Sequence, residues 1–464
     1  MRRIVFFLVA FAVLPAVCFA QSDSCLTKAT RTQQDGWILV HLEGTPSEIG
    51  YQHGYLLAPE IDDAIKTLAG LFKGVTGRDW GFFREVAEQT FVPKLGEEYR
   101  AEIEGIVKGV RARGYRYDIA DVVVLNAWIE LAWYYVPELD NKAKPGSGLN
   151  KAPGNCSAFI ATGSATRDGK IVMGHNNWVD YAMGSRACIA WDIVPAKGHR
   201  IVMDGFPGWI QSGDDFTIND AGILVTETTI TGYNNCNWKG TPEFVRTRRA
   251  VQYSESIDDF FRIMREDSNG AYANTWLVGD LKTNEIAKID LGLKHQRIWR
   301  TKDGSYVGAN FGTDEKLLKE ETTFDTANPK TSPAARRTRW GQLMAEYHGK
   351  IDAEVGQKML ADHVDVFEGK PAMSRLGLCG HADHDPLGIP EWSNPPYYPI
   401  GAVSGKVTTA ALAKSFAFWG RAGHPCGETF DAAAFLERHP QYRWQASFLR
   451  DLKPQPWSLL QPKK

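Results

Sequence analysis

The stretch GNCSAFI, residues 154–160, places a cysteine between a turn-forming Gly-Asn pair and an apolar run that is typical of a buried strand. The preceding residues, 140–155, are polar, rich in Gly, Pro and Lys and without periodicity, which indicates an exposed linker. A core cysteine usually lies inside a strand, whereas a nucleophile freed by cleavage of the Asn155–Cys156 bond would begin one. Position alone leaves three interpretations of Cys156 open: a core residue, half of a disulfide, or a nucleophile.

Cleavage before Cys156 would leave its thiol beside its own α-amino group. Such an amine has a pKa of about 7.7–8.0, so part of it is neutral near pH 7 and can accept the thiol proton. One residue would then supply both the nucleophile and its general base. On position alone, a structural role for Cys156 remains the favoured interpretation.

The distribution of periodicities along the chain predicts a layered α+β fold. A short strand, WILVHLEG, is followed up to about residue 135 by segments with apolar residues at helical spacing. Beyond the linker come hairpin patterns, with turns at 168–169, 219–222 and 282–284. Helical spacing returns at 244–266, 333–366 and 428–437. Strands grouped in the middle with helices on either side argue against alternating βαβ units.

The N-terminal residues have the pattern of a secretory signal peptide. Two arginines precede an apolar run that is short for a bilayer span, and Ala20 offers a small residue before Gln21. We therefore expect an exported protein, periplasmic or secreted, and no stable membrane span. The chain then divides into a signal peptide at 1–20, a helical N-terminal segment with the linker at 21–155, and a catalytic region at 156–464.

Composition and motifs exclude several classes of function. The chain has 53 basic and 55 acidic residues without a block of one sign, so we expect no nucleic-acid partner. It contains no G-x-S-x-G elbow, no H-E-x-x-H motif and no P-loop, which removes the common serine-hydrolase, zincin and nucleotide patterns. The predicted chemistry requires no metal and no organic cofactor.

Cysteine and histidine positions predict a disulfide rather than a metal site. No two cysteines are spaced as C-x-x-C, so no zinc ligand set is recognisable. Cys379 and Cys426 lie in Gly- and His-bearing loops of an exported chain, and we expect them to pair. Cys188, in the apolar run ACIAWDIV, is expected to be a buried thiol. The segment HADHDP, residues 381–386, could ligate a metal but is more typical of a surface or structural turn.

Longer blocks of sequence carry a family resemblance. The stretch around Cys156 continues as KIVMGHNNWVDY, and the blocks FPGWIQSGDDFTINDAGILVTETTI and YANTW follow in that order. With these blocks the chain resembles the phospholipase B-like proteins, which belong to the N-terminal nucleophile hydrolase superfamily. The stretch EGTPSEIGYQHGYLLAPEI looks like the related acyltransferases typified by isopenicillin N acyltransferase, and GAVSGKVT and YRWQASF match further on. The resemblance runs from about residue 40 to the C-terminus.

The resemblance implies a four-layer αββα sandwich whose precursor cuts itself between Asn155 and Cys156, with the small and large chains remaining associated. It makes Cys156 the nucleophile and gives His175 one of two roles, either lining the acyl site or bonding to the backbone at a strand end. Asn274 precedes a Thr-Trp pair as in the family's pattern and would stabilise the oxyanion with its side-chain amide. The alternative for Asn274 is an asparagine that closes a turn. Trp178 follows the histidine and would line the site.

Several further positions are less defined. Asp214 and Asp215 are adjacent, so at most one of them should face Cys156 in a strand, whereas Thr226 and Thr228 share a face. The family has an arginine after a Ser-Pro pair, but here two alanines intervene and three candidates follow: Arg336, Arg337 and Arg339. Four aromatic residues are candidates for an acyl pocket or for ordinary core packing: Trp178, Tyr181, Phe206 and Trp209.

With the resemblance, these residues predict an exported, self-processing cysteine amidase or acyl hydrolase that acts without a cofactor. The expected substrate is an N-acyl amide, because the protonated amine beside the thiol helps an amide leaving group most. Phospholipid or lysophospholipid esters are the second choice. Two alternatives remain open: transfer of the acyl group to an amine, and a catalytically degenerate protein that binds lipid or glycan.

Overall fold

The computed structural model describes residues 24–143, 156–213 and 216–461. The predicted signal peptide, residues 144–155 of the predicted linker and the acidic pair at 214–215 lie outside the described residues. The expectations that concern them therefore stay predictions. The first part of the predicted linker, residues 140–143, is helical rather than irregular, because it continues the helix Val136–Ala143.

The strands begin and end close to the turns predicted from the sequence. In chain order they are β1 (Thr30–Gln34), β2 (Trp37–Gly44), β3 (Cys156–Thr162), β4 (Val172–Asp180), β5 (Ile189–Pro195), β6 (Ile201–Gly205), β7 (Thr217–Asn219), β8 (Ile223–Thr229), β9 (Asn274–Asp280), β10 (Glu285–Leu291), β11 (Gln296–Thr301), β12 (Gly304–Gly308), β13 (Val364–Asp365), β14 (Lys370–Pro371), β15 (Ile400–Thr409), β16 (Phe418–Ala422) and β17 (Ser458–Leu460). The strand predicted at WILVHLEG is β2, and all three predicted turns lie between consecutive strands.

The helices lie mainly before β3, after β8 and on either side of the small β13–β14 hairpin. In chain order they are α1 (Pro46–Leu56), α2 (Ala58–Thr76), α3 (Trp80–Val86), α4 (Gly96–Ala112), α5 (Ile119–Asn126), α6 (Trp128–Glu130), α7 (Val136–Ala143), α8 (Tyr181–Gly184), α9 (Glu243–Tyr253), α10 (Ile257–Arg265), α11 (Glu315–Glu321), α12 (Ser332–Glu346), α13 (Ala353–Leu360), α14 (Ala410–Ala413) and α15 (Ala432–Arg438). The helical spacing read at 244–266 thus corresponds to two helices, α9 and α10.

Two sheets contain nearly all of the strands. In the described part of the chain, nine strands form one sheet in the order β1-β2-β5-β6-β7-β8-β9-β10-β11. Six strands form the second sheet in the order β12-β3-β4-β15-β16-β17. The strand β2 runs parallel to β5, whereas β3 is antiparallel to both of its neighbours.

The two sheets face each other across an apolar layer. Ala158 and Ile160 of β3 pack in one buried cluster with Leu224 of β8 and Leu277 of β9. Because side chains alternate along a strand, Phe159 points to the other face of its sheet. Cys156, Ala158 and Ile160 therefore lie on the inner face of β3, which is directed toward the other sheet.

Helices pack on the outer side of each sheet. Phe159 contacts Trp340 of α12, with ring centroids 5.6 Å apart. On the nine-stranded sheet, Trp276 of β9 meets Phe260 of α10 edge-on, with centroids 5.5 Å apart. The mixed α+β class predicted from the sequence is confirmed.

The N-terminal segment shares the core of the rest of the chain. Its strand β2 is hydrogen-bonded to β5, and β1, which the sequence did not predict, pairs with β2. A capping box between Thr45 and Glu48 begins α1. Helix α1 approaches α4 so closely that a Cβ on Gly50 would lie 1.9 Å from the Glu102 carbonyl oxygen. Only glycine fits there.

Among the described residues, no single helix is both long and apolar enough to cross a bilayer. The pair Ile119–Asn126 and Trp128–Ala143 meets the length and composition requirement only when the two are joined, and it is bent by 76°. Most side chains of the first helix of this pair are buried in the protein.

Candidate active site

Cys156 is the first residue of β3, and its side chain points toward the layer between the sheets. Only 2% of its surface is exposed. Asn177 of β4 lies directly opposite in register, so the two side chains lie on the same face of the sheet. A small cavity of about 10 Å³ borders both side chains.

Asn310 and Arg336 hold the backbone of Cys156. The Cys156 N–H donates to Asn310 Oδ1 at 3.2 Å, and Arg336 Nη1 donates to the Cys156 carbonyl oxygen at 2.6 Å. Arg336 also donates to Asn310 Oδ1 at 2.7 Å. Its remaining contacts are with the hydroxyl oxygens of Ser157 at 3.1 Å and Ser332 at 3.0 Å. One guanidinium group therefore links the start of β3 to α12 and to the segment after β12.

The Arg336 guanidinium is a buried cation that lies next to Cys156. Burial lowers its pKa to about 9, while the nearby Glu391 carboxylate and the Cys156 thiol act in the opposite direction. It lies over the ring of Trp178, 4.3 Å from the centroid, and 5.7 Å from the centroid of Trp392. Near pH 7 it remains protonated, so it places a positive charge beside Cys156.

The structure decides between the three candidate arginines. Ser332 and Arg336 are four residues apart on α12 and therefore share a helix face, which is the buried one. Arg337 is exposed, and Arg339 forms an ion pair with Asp362 at 2.7 Å. Only Arg336 contacts Cys156 among these three.

The cavity beside Cys156 is lined mainly by apolar side chains. Besides Cys156 and Asn177, the lining consists of Trp128, Ile129, Trp178, Val179, Phe206, Gly213 and Tyr272. Two of the four aromatic candidates, Trp178 and Phe206, therefore line it. Trp209 packs behind Phe206 with centroids 4.7 Å apart, and Tyr181 packs against Phe430 at the same distance.

Asn177 brings an amide donor to this cavity. The residue is 3% exposed, and its Nδ2 has no hydrogen-bond partner among the described residues. A buried amide N–H without a partner costs about 1–3 kcal/mol, so such a group marks a position where an acceptor is needed. The sequence analysis did not select Asn177, although it lies within the HNNW segment.

The side-chain amide of Asn274 already donates hydrogen bonds to neighbouring groups. With the amide oriented so that both of its polar atoms are satisfied, its nitrogen donates to Glu227 Oε2 and to the Ala273 carbonyl, each at 3.0 Å. The Tyr272 hydroxyl donates to the other Glu227 oxygen at 3.2 Å. The oxyanion role of Asn274 stays a prediction, and these bonds are a physical argument against it.

Two residues of the site have left-handed backbone conformations. Tyr272 has φ of 52° and Asn310 has φ of 60°. Asparagine tolerates this region, whereas for a bulky side chain such as tyrosine it costs about 1–2 kcal/mol. Conformations of this kind persist where the surrounding structure enforces them, and they cluster at functional sites.

His175 lies deeper between the sheets than Cys156. It is fully buried on β4, and neither ring nitrogen has a hydrogen-bond partner among the described residues. Burial, with a smaller contribution from the charge of Lys406, holds the pKa of His175 well below its usual range. Lys406 itself pairs with the buried Asp204 at 2.6 Å. The imidazole is therefore neutral, and it is not among the residues that line the cavity.

Thr226 and Thr228 lie on the inner face of β8, as their spacing predicts. Both are fully buried, and neither hydroxyl has a partner among the described residues. Thr228 packs against the backbone of β12, where a Cβ on Gly308 would lie 2.6 Å from its side chain. Neither threonine lines the cavity.

None of the described cysteines is part of a disulfide, so the predicted Cys379–Cys426 disulfide is not formed. The two residues nevertheless lie together, with their sulfur atoms within 4.8 Å. Cys188 was expected to be buried and is only half-buried, because it precedes β5 rather than lying inside it.

The side chains of the segment HADHDP contact different partners. Asp383 accepts a hydrogen bond from the Tyr181 hydroxyl at 2.7 Å, and Asp385 pairs with Arg375 at 2.7 Å. These contacts hold a structural turn, as the sequence suggested. His381 differs, because its ring lies beside Cys379 and Cys426.

Fold and site together define an α+β protein whose candidate nucleophile begins a central strand beside a buried arginine. The sequence model of the phospholipase B family matches residues 91–335, which is more than half of the chain. The chain belongs to this family.

Relatives are similar to this chain over part of their length. An uncharacterized protein of Archaeoglobus fulgidus is 29% identical over 54% of this chain and 42% of its own. The putative phospholipase B-like 2 of Homo sapiens is 25% identical over 55% of this chain and 45% of its own. Phospholipase B-like 1 of Rattus norvegicus is 30% identical over 30% of this chain and 27% of its own. Each match spans less than half the length of the relative.

Sequence reasoning missed Asn310 and could not select Arg336. Asn310 follows β12 in the stretch GANFGT, where an asparagine between glycines indicates a turn with a left-handed residue. That signal locates a turn but says nothing about the cysteine 154 positions earlier in the chain.

Proposed function

We propose that this chain is a self-processing cysteine hydrolase that cleaves an acyl amide or ester bond, with Cys156 as its nucleophile. The observation that carries the proposal is the position of Cys156 at the start of a buried strand, with its N–H bound by Asn310 and its carbonyl bound by Arg336. A backbone nitrogen held in this way becomes a held α-amine once the bond before it is cut.

The reaction begins with transfer of the thiol proton to the α-amine of Cys156. The sulfur attacks the acyl carbon, and the carbonyl oxygen becomes an oxyanion. When the bond to the leaving group breaks, the ammonium returns its proton to the departing amine or alcohol. Water then attacks the thioester with the amine as base, and the C–S bond breaks to release the acid and restore the thiol. Asn310 Oδ1 keeps the amine oriented through both steps.

The Asn177 amide supplies the oxyanion contact in this proposal. Its Nδ2 is buried beside Cys156 without a partner, so it binds a developing negative charge without first giving up another bond. Arg336 is unsuited to that task, because its donors are committed to Asn310, Ser157, Ser332 and the Cys156 carbonyl.

We expect Asn177→Ala to lower kcat of the cleaved protein by about a hundredfold to a thousandfold, which is typical for loss of one oxyanion donor. Asn274→Ala is the comparison, since the sequence assigned the same role to that residue. Both variants are measured after their cleavage has been confirmed by mass spectrometry. A normal kcat in Asn177→Ala beside a slow Asn274→Ala would return the role to Asn274.

Cleavage before Cys156 would leave a small chain that cannot easily separate. Its strands β1 and β2 belong to the nine-stranded sheet, where β2 pairs with β5 of the large chain over seven residue pairs. Helix α2 adds the ion pair between Asp63 and Arg186 at 2.7 Å. The proposal therefore includes two chains that stay associated after cleavage. It also includes the two points predicted from the sequence, a sandwich of the N-terminal nucleophile hydrolase type and export.

The cavity is small, and aromatic side chains line it. Its volume of about 10 Å³ lies far below the range of about 300–1,000 Å³ that is usual for drug-sized ligands, so an acyl group would enter only if the aromatic side chains move apart. We therefore propose N-acyl amides with an aliphatic or aromatic acyl group as substrates, and lysophospholipid esters as the second choice.

The function is tested with a panel of both substrate types on the cleaved protein, using Cys156→Ala as the blank. We expect higher kcat/KM for N-acyl amides than for lysophospholipid esters, and release of the free acid. Turnover of phospholipid esters without measurable turnover of any N-acyl amide would reverse this preference. Acyl products formed only when a second amine is added would identify an acyltransferase, and no turnover by cleaved protein would refute the hydrolase.

A further inference from the structure

Four side chains with metal-binding atoms meet in a cluster outside the candidate active site. His363 precedes β13, Cys379 and His381 lie in the loop before β15, and Cys426 lies in the loop after β16. All four ligand atoms lie within 4.8 Å of one another. Cys379 and His381 are buried, and the other two are half-buried. We name this group the Cys2His2 cluster.

The distances in the Cys2His2 cluster match a tetrahedral zinc site. With Zn–S of about 2.3 Å and Zn–N of about 2.0–2.1 Å, tetrahedral ligand atoms lie about 3.3 Å apart for N to N and about 3.6 Å for N to S. The Nε2 atoms of His363 and His381 are 3.2 Å apart. His381 Nε2 lies 3.6 Å from the sulfur of Cys379 and 3.6 Å from that of Cys426.

Hydrogen bonding among these groups does not explain the arrangement. The Nε2 atom of His381 faces three neighbours, yet one ring nitrogen either donates one hydrogen or accepts with one lone pair. A cation at the centre would satisfy all four atoms at once. Two thiolates with two imidazoles form a ligand set that zinc prefers.

We propose that the Cys2His2 cluster binds a structural Zn²⁺ ion. Its ligands come from three chain segments, so the site has no C-x-x-C spacing. The backbone already holds the loops: Cys379 N–H donates to the Asp362 carbonyl at 3.1 Å, and His381 N–H donates to the Ser374 carbonyl at 2.9 Å. The Glu428 N–H donates to the Cys426 sulfur at 3.4 Å, the kind of bond that supports a thiolate ligand.

The loop that carries Cys379 of the Cys2His2 cluster also contacts residues next to the candidate active site. The Leu378 carbonyl, one residue before Cys379, accepts hydrogen bonds from the side chains of Ser157, Asn176 and Trp178 at 3.0–3.1 Å. Gly380, one residue after Cys379, has no room for a Cβ, which would lie 1.9 Å from the Trp178 ring. An ion that fixes Cys379 therefore also fixes the loop on which the second residue of β3 rests.

A disulfide between Cys379 and Cys426 is the competing arrangement. It would use both sulfur atoms and leave the two histidines without a cation to share. The two arrangements exclude each other, so one measurement on the wild-type protein separates them.

The test begins with the full-length wild-type protein, purified without chelators from zinc-supplemented cells. We expect about one zinc ion per chain by elemental mass spectrometry, and no disulfide joining Cys379 to Cys426 in non-reduced peptide maps. Release of zinc by a mercurial reagent that titrates thiols should accompany modification of these two cysteines. A metal-free protein, or a Cys379–Cys426 disulfide peptide, overturns the proposal.

Variants then locate the ion. Cys426→Ser and His381→Gln should lose the zinc, whereas the matched controls Cys236→Ser and His384→Gln, which lie outside the cluster, should retain it. A chelator should lower Tm of wild type and controls alike. Wild-type protein reconstituted with Co²⁺ should show the visible absorption of tetrahedral cobalt bound to thiolate. Zinc retained in Cys426→Ser, or a cobalt spectrum without thiolate bands, overturns the assignment even if another variant fails to fold.

Discussion

Cys156→Ala is expected to remain a single uncut chain and to show no turnover of any acyl substrate. The wild-type protein should instead give two fragments on denaturing gels, with the larger one beginning at Cys156 by N-terminal sequencing. The physical reason is that the thiol is proposed to perform both the self-cleavage and the later attack on the substrate. Loss of the nucleophile removes both events together.

The matched control is Cys188→Ala, because Cys188 is a half-buried thiol just before another strand. It should cleave and turn over substrate as the wild type does. Near-normal folding of Cys156→Ala is checked by thermal unfolding, since the exchange removes a single sulfur atom. A wild-type protein that is fully active while still in one piece would refute self-processing, and activity retained in Cys156→Ala would refute the nucleophile.

Arg336→Met is expected to destabilise the chain by roughly 2–4 kcal/mol and to abolish cleavage. Removal of the guanidinium takes a donor from three buried acceptors: the Cys156 carbonyl, the Ser157 hydroxyl and Asn310 Oδ1, which keeps only the Cys156 N–H. Burying the Arg336 cation costs free energy, and this cost is also the reason for its lowered pKa. The methionine variant avoids that cost, which offsets part of the loss in stability. Without the arginine, Asn310 also loses one of the two contacts that orient it toward the Cys156 nitrogen, and keeps only the bond from its Nδ2 to the Thr229 carbonyl at 3.1 Å.

The unfolding free energies are measured by denaturant titration in the Cys156→Ala background, where every variant is uncut. Arg337→Met is the control, because Arg337 is the exposed neighbour on the same helix and its contact with the Phe311 ring, 4.4 Å from the centroid, limits the expected loss of stability to about 1 kcal/mol. Cleavage is followed separately in the background that retains the thiol. Equal stability and normal cleavage in Arg336→Met would remove this residue from the proposed site.

Local patterns were enough to predict much of the fold. The Gly-Asn turn placed the start of β3 at Cys156, and alternation placed Thr226 and Thr228 on one face of β8. Both signals depend on neighbouring residues, because turn chemistry and side-chain alternation act over a few positions. The strand β1 escaped prediction because its side chains are mostly exposed and carry no apolar alternation.

The candidate site was predicted only in part. Cys156 was selected from position and resemblance and Asn274 from the family's pattern, and both roles stay predictions; the position of Asn177 opposite Cys156 was not predicted, and Arg336 could not be separated from its neighbours. Each of those choices depends on which side chain meets Cys156 across a strand pair or between a strand and a helix. Sequence spacing does not contain that information.

The sequence by itself determined the α+β class, the positions of most strands and helices, and the family. Only the tertiary structure decided that Asn310 and Arg336 hold Cys156 and that His363, Cys379, His381 and Cys426 form one cluster. The physical reason is the range of the interactions involved. Periodicity and turn preferences are properties of short segments, whereas these contacts join residues far apart in the chain and exist only once both sheets and their outer helices have packed together.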